Sequence, residues 1–200
     1  SSATHRMIFK GNNVNFNDNV VFDHKAHLST RLIFGNIIYD KPGTIVVRRN
    51  AAAFDIRQVK QIVSPGTTVD FSSSPNDLMV ASHTSSNSAT HTTLNIDGTL
   101  NLGEKMIVGR NQNNYYSSVN VNNGGRLITA HANGLYSGSV AGSAVYPIIS
   151  GNYRMNYFLN AGSTVEYNEI NNQIVSGTGI GIATTTDHRY GILDINFQGT

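Results

Sequence analysis

Between Leu94 and Thr129 apolar and polar residues alternate in short runs, and each run closes on a turn signal. Leu94-Asn95-Ile96 alternates, Asp97-Gly98 turns, Leu100-Asn101-Leu102 alternates again, and Gly103, Gly109 and Asn123-Gly124-Gly125 punctuate the remainder of the stretch. A period of two places alternate residues on one face and predicts short strands. The pattern extends outward in both directions. Val14-Asn15-Phe16-Asn17, Val20-Val21-Phe22, Ile45-Val46-Val47, Val69-Asp70-Phe71, Tyr153 to Asn160 and Ile192 to Phe197 all read as strands, as does Val145 to Ser150, broken by Pro147. Arg31 to Tyr39 reads as two strands hinged at Gly35-Asn36. Only Ala51 to Ile62 suggests a helix, with Ala52, Ile56, Val59 and Val63 near helical spacing and Asn50 as a cap. Ser72 to Pro75, Ser82 to His91 and Asn133 to Ser143 lack apolar periodicity and read as loops.

The turn phrases resemble one another. PGTIVV from Pro42, PGTTVDF from Pro65, DGTLNL from Asp97, NGGRLIT from Asn123 and AGSTVEY from Ala161 each put a glycine before an apolar strand. Gly43, Gly66, Gly98, Gly124 and Gly162 are separated by 23, 32, 26 and 38 residues. A degenerate period of this kind, with the unit always in the same orientation, predicts an all-β chain forming a parallel β-helix, or solenoid, with loop insertions. A β-sandwich, which also turns at frequent intervals, is the alternative. Either way residues 1–200 read as one segment.

Composition narrows the function. Charged residues make up 13%, while 25 residues are Asn and 19 are Gly, a balance suited to many corners rather than to disorder. Cysteine is absent, so disulfides, thiolate metal sites and cysteine nucleophiles are excluded. No apolar run is long enough for a transmembrane segment, and Ser1-Ser2-Ala3-Thr4 does not open a signal peptide. The start, and the Gly199-Thr200 end, suggest a fragment of something longer. Charge is uneven: residues 1–63 carry nine Lys or Arg against four Asp, a net of +5, and the remainder carries five against eight, a net of −3. The basic residues are scattered and no nucleic-acid motif accompanies them, so no nucleic acid is expected as a partner.

Candidate chemistry is sparse. The twelve carboxylates are mostly isolated; Asp97, Asp187 and Asp194 stand beside turn residues, where Asp bends the backbone. Asp18 and Asp23 near Asn15, Asn17 and Asn19 form the best ionic cluster, but an Asn-lined solvent face explains it better than Ca²⁺, which needs several carboxylates. His24 and His27, His83 and His91, and the solitary His5, His131 and His188 lack the acidic companions of a zinc motif. No nucleophile elbow occurs, and Gly177-Thr178-Gly179-Ile180-Gly181 has the wrong spacing for a dinucleotide. No catalytic residue, metal or cofactor is therefore expected. Tyrosines offer another route, since exposed rings stack on sugars while Asn side chains bond hydroxyls. Tyr115, Tyr116 and Tyr136 are the candidate ligand-binding residues, on recognition loops at 72–93, 110–118 and 133–143. Packing of tyrosines such as Tyr153 and Tyr157 in ladders is the competing explanation for their abundance.

The C-terminal phrases carry a family resemblance. Gly162-Ser163-Thr164-Val165-Glu166-Tyr167-Asn168, Asn172-Gln173-Ile174-Val175 and Tyr190-Gly191-Ile192-Leu193-Asp194-Ile195 resemble the recurrent GSTVEYNG…NQ.V…YYNLTL.G block of large Bacteroidota surface proteins exported by the type IX secretion system. GTLNLG and NNGGRLIT resemble β-helical repeats of the same proteins. The match departs where Glu169 replaces the usual glycine and where the Gly177 to Arg189 loop is longer; residues 1–90 share only the style. The resemblance implies a secreted, cell-surface, adhesin-like or gliding-motility-associated protein. Its implied partners are surface glycans, other cell-surface proteins and the type IX export machinery. The expected function is a non-enzymatic adhesin or stalk; the alternative is a carbohydrate-active β-helix enzyme, a polysaccharide lyase or hydrolase, with catalytic residues outside this stretch.

Overall fold

The computed structural model describes residues 6–10, 20–24, 33–49, 57–80, 90–109, 115–135, 144–146, 154–169, 172–175 and 191–196, and among them the chain is all-β with no helix. The strands fall into three sheets. The first contains, in spatial order, β1 (Arg6–Lys10), β3 (Ile33–Asp40), β5 (Arg57–Val63), β8 (Thr90–Ile96), β11 (Tyr115–Val121) and β14 (Arg154–Leu159). The second runs from β2 (Val20–His24) through β4 (Gly43–Arg49), β6 (Thr67–Asp70), β9 (Thr99–Asn101), β12 (Arg126–Thr129) and β15 (Thr164–Tyr167) to β16 (Ile192–Ile195). The third holds β7 (Leu78–Val80), β10 (Ile107–Gly109) and β13 (Val145–Tyr146). From β5 to β15 chain order visits the first, second and third sheets in turn, β1 to β4 alternate between the first two, β16 follows β15 in the second, and every ladder among the described residues is parallel. A sandwich of antiparallel sheets, the alternative raised by the sequence, is incompatible with these ladders.

Parallel register sorts the side chains into columns. In the second sheet Ile45, Val69, Leu100, Leu127, Val165 and Leu193 succeed one another across the ladders. In the first, Tyr39, Val63, Ile96, Val121 and Leu159 do the same. All but Leu159 and Leu193 are buried, and together with Phe71, Leu102 and Ile107 they form one hydrophobic core. Burial of each such side chain stabilises by about 1.5–3 kcal/mol, which is why the alternating phrase is kept while the residues between the columns vary. Strand β6 shows the alternation directly, with Thr67 and Val69 buried and Thr68 and Asp70 partly exposed.

The corner from the first sheet to the second is a four-residue turn in three places. Thr67, Gly125 and Ser163 donate their N–H groups to the carbonyls of Ser64, Asn122 and Asn160. Its third position is Gly66, Gly124 or Gly162, at φ 76, 81 and 78°, a left-handed region that glycine enters without a Cβ penalty. Pro65 at the second position makes the first of these a type II turn. The intervening corner is two residues shorter: Asp97-Gly98 occupies the space between Ile96 and Thr99, whose register partners are Val63 and Thr68. It fits because Gly98 tucks under the preceding turn, where a Cβ would lie 2.2 Å from the Ser64 carbonyl oxygen.

Three expectations change. Arg57–Val63, within the stretch read as a helix, is strand β5; Gln61 and Val63 are buried and Lys60 and Ile62 are not, so period-two burial overrides the helical spacing. Residues 51–56 of that reading lie outside the described residues. Gly35-Asn36 is no hinge: β3 runs through it, and Asn36 is in register with Arg6 on one side and Lys60 on the other. Asp194 does not bend a turn but stands within β16.

Candidate functional surface

Tyr115 and Tyr116 do not lie on a loop. Both belong to β11, in register with Thr90 and His91 of β8. Tyr136 lies outside the described residues, as do 81–89, 110–114 and 136–143 of the three recognition loops. The rest of those loops is largely regular: β7, the start of β8 and the start of β11 fall within them. The calcium candidates Asn15, Asn17, Asp18 and Asn19 are also outside the described residues; Asp23 is in β2, in register with Arg48.

A concave site does occur at the corner that leaves the second sheet. A cleft of about 350 Å³ is lined by Glu104, Ala130, His131, Ala132 and Glu169. Three successive repeats build it. Glu104 projects from the Leu102 to Lys105 turn, closed by the Lys105 N–H on the Leu102 carbonyl. His131 comes just after β12, held where its own N–H donates to Thr129 Oγ1 at 3.1 Å and its Nδ1 accepts the Asn133 N–H at 3.2 Å. Glu169 comes just after β15 and is buried. Gln173 fastens the wall, its Nε2 donating to the Thr129 and His131 carbonyls at 2.9 and 3.1 Å while its Oε1 accepts the Glu169 N–H at 3.1 Å.

This geometry fixes the state of His131. Burial holds its pKa below the ordinary 6.5, opposed by the charges of Asp77 and Glu104. The ring is thus neutral at pH 7, and because Nδ1 accepts, the proton sits on Nε2. The cleft presents carboxylate acceptors and one imidazole donor, a set able to hydrogen-bond hydroxyl-bearing ligands. Among the described residues no group of three His, Asp or Glu side chains could hold a metal ion.

Outside the cleft the polar residues bind one another across repeats. Arg126 donates from Nε to Glu166 Oε2 at 2.8 Å and from Nη2 to Asp194 Oδ2 at 2.9 Å, joining β12, β15 and β16. Its pKa is raised, chiefly by the hydrogen bond to Glu166. Arg126 also accounts for the burial of Glu166 at a position where β15 departs from strict alternation. At the regular corner Asn160 Nδ2 donates to Asn122 Oδ1 at 2.9 Å, and Asn122 Nδ2 donates to Asp97 Oδ1 at 2.7 Å. On the first sheet Asn120 Nδ2 donates to Asn95 Oδ1 at 2.8 Å. Neither Asp97 nor Glu104 stands alone in space as it does in sequence.

Composition and motif spacing missed the cleft and the Arg126 network, because each joins side chains from different repeats, in the Arg126 network 40 and 68 residues apart. The glycine phrases hold only part of the signal: because Gly98 ends a shorter corner, laying GTLNLG beside GGRLIT and GSTVEY sets Asn101 beside Leu127 and Val165, whereas the ladders stack Asn101, Ile128 and Glu166. No protein-family model, curated protein or solved structure matches this chain.

Proposed function

We propose that this chain is a non-enzymatic β-solenoid that acts as a stalk or adhesive surface of an extracellular bacterial protein. The observation that carries the reading is the cyclic visiting of three parallel sheets with the same columns continued from repeat to repeat. Stacked repeats of this kind bury a continuous core and leave long outer faces, a geometry suited to spacing and to extended contact. Among the described residues Asn95, Asp97, Asn120, Asn122, Arg126, Glu166 and Asp194 are hydrogen-bonded by neighbouring repeats, as suits a scaffold. Export by a type IX system, and with it glycans, cell-surface proteins or the export machinery as partners, rests on the GSTVEYN resemblance alone.

The second reading, a carbohydrate-active β-helix enzyme, is favoured by one feature, the cleft holding Glu104, Glu169 and His131. Incubation with a panel of neutral and acidic polysaccharides, scored for reducing ends and unsaturated products, separates the two. The scaffold reading expects no turnover. Turnover that is lost in Glu104→Gln or Glu169→Gln would replace it with the enzyme. A glycan array comparing the wild type with Tyr115→Ala/Tyr116→Ala then divides adhesin from plain stalk, since binding by neither protein leaves only the structural role.

A further inference from the structure

The cleft at the corner that leaves the second sheet holds about 350 Å³, within the range of small-molecule sites, roughly 300–1,000 Å³. Its lining is of two kinds. Ala130 and Ala132 are small and apolar, while Glu104, His131 and Glu169 are polar. Neither Lys nor Arg is among the described lining residues, so the cleft is acidic. The charges of Glu104 and of Asp77 reach the His131 ring, and Glu169 is buried. Carboxylates that share a partly desolvated cleft repel an anion and attract a cation more strongly than they would in open water.

Two observations narrow the cation. Among the described residues no three His, Asp or Glu side chains could close around one metal ion, so the acidic groups are set apart, as suits a ligand of molecular size. The second is the His131 ring. Its Nδ1 is taken by the Asn133 N–H, and its Nε2–H makes no hydrogen bond among the described residues. That donor calls for an oxygen acceptor beside the cation. A lysine or arginine side chain brings the cation without the acceptor, and a neutral sugar brings the acceptor without the cation. An ammonium next to a hydroxyl brings both, and the C–H edge of a sugar ring can lie on Ala130 and Ala132. We propose that the cleft binds an amino sugar with a free ammonium group, which donates to the carboxylates of Glu104 and Glu169 while the His131 Nε2–H donates to the neighbouring hydroxyl. This rests on the adhesive-surface reading above and names its ligand class.

The test is a titration of the isotope-labelled full chain at pH 7, followed through its amide chemical shifts. The probe is an oligomer of unacetylated glucosamine. Saturable shifts at Glu104, His131 and Glu169 are expected, with a dissociation constant in the millimolar range or below. The N-acetylated oligomer keeps the hydroxyls and loses the charge, and should bind at least about tenfold more weakly. Glu104→Gln should weaken binding about fivefold, a modest loss because the position is exposed and its charge partly screened. His131→Phe should weaken binding of the glucosamine oligomer about fivefold and leave that of a three-lysine peptide unchanged. Absence of saturable shifts at the three amides, equal affinity for the acetylated oligomer, or tighter binding of the lysine peptide overturns the proposal. Should His131→Phe not fold, the exposed Glu104→Gln decides, and undiminished affinity in that variant overturns it. Glycan binding with shifts only elsewhere also overturns this inference but leaves the adhesive surface standing. Reducing ends released from the glucosamine oligomer by the wild type and not by Glu104→Gln support the site and replace the scaffold reading.

Discussion

The corner from the first sheet to the second and the corner that leaves the second sheet are made by the same chain in the same repeats, but they behave differently. The first is nearly uniform: glycine at the left-handed position of each of its three four-residue turns, one shorter Asp97-Gly98 corner, and an amide ladder running Asn160, Asn122, Asp97. The second keeps one device for two repeats and then changes it. Asp70 caps it by accepting the Ser72 N–H, Asn101 by accepting the Gly103 N–H, and His131 and Gln173 replace that device one repeat later. A uniform corner lets identical groups stack and satisfy one another, which fixes the rise of the chain. A variable corner leaves concavities, and the cleft is found there. Stacking is thus concentrated on one side of the repeats, and chemical variety on the other.

The sharpest way to break the comparison is Gly98→Val. Its Cβ would stand 2.2 and 2.4 Å from two backbone carbonyl oxygens, which cannot move without opening the turn beneath. A loss of at least about 3 kcal/mol is expected in urea unfolding, or failure to fold. Next comes Asn122→Asp, which replaces the donor to Asp97 with a second carboxylate and breaks the ladder at its centre. About 2 kcal/mol should be lost in urea unfolding at pH 7.

At the variable corner the effects should be smaller. Gln173→Ala removes three hydrogen bonds at the cleft wall, and about 1 kcal/mol with faster amide exchange at Glu169 is the expected result. The smallest effect concerns pH. Because the folded pKa of His131 lies below 6.5, the unfolded chain binds more protons between 6.5 and that lower value. Stability from this residue is fully present above pH 6.5 and falls as pH drops through the folded value, and His131→Asn should flatten that part of the profile. If Gln173→Ala proves costlier than Asn122→Asp, the division between a structural and a variable corner is wrong.

How far the fold and the site could be read in advance depended on whether the signal was local. Alternation and turn glycines are local, and they located most strands of the second sheet: Ile45, Val69, Leu100, Leu127 and Val165 fall 24, 31, 27 and 38 residues apart, close to the spacing of the corner glycines. The first sheet was harder. Strand β5 borrows helix-like spacing because its interior position Gln61 is polar, and β3 carries a Gly-Asn pair that elsewhere marks a turn. In both, the neighbouring strand supplies what the local sequence lacks. Tyr115-Tyr116 reads locally as part of a loop, but both residues lie in β11, paired with β8. The cleft depends on three residues from three repeats, and only the register brings them together.

The ladders have one more consequence, a mechanical one. Hydrogen bonds between parallel strands lie along the direction in which the repeats advance, so tension in that direction is carried by successive junctions in series. At the β15–β16 junction four registered pairs are supplemented by the ion pair from Arg126 to Asp194, which reaches across from one repeat further back. Under load Arg126 should act as a tether that lets this junction open without releasing β16.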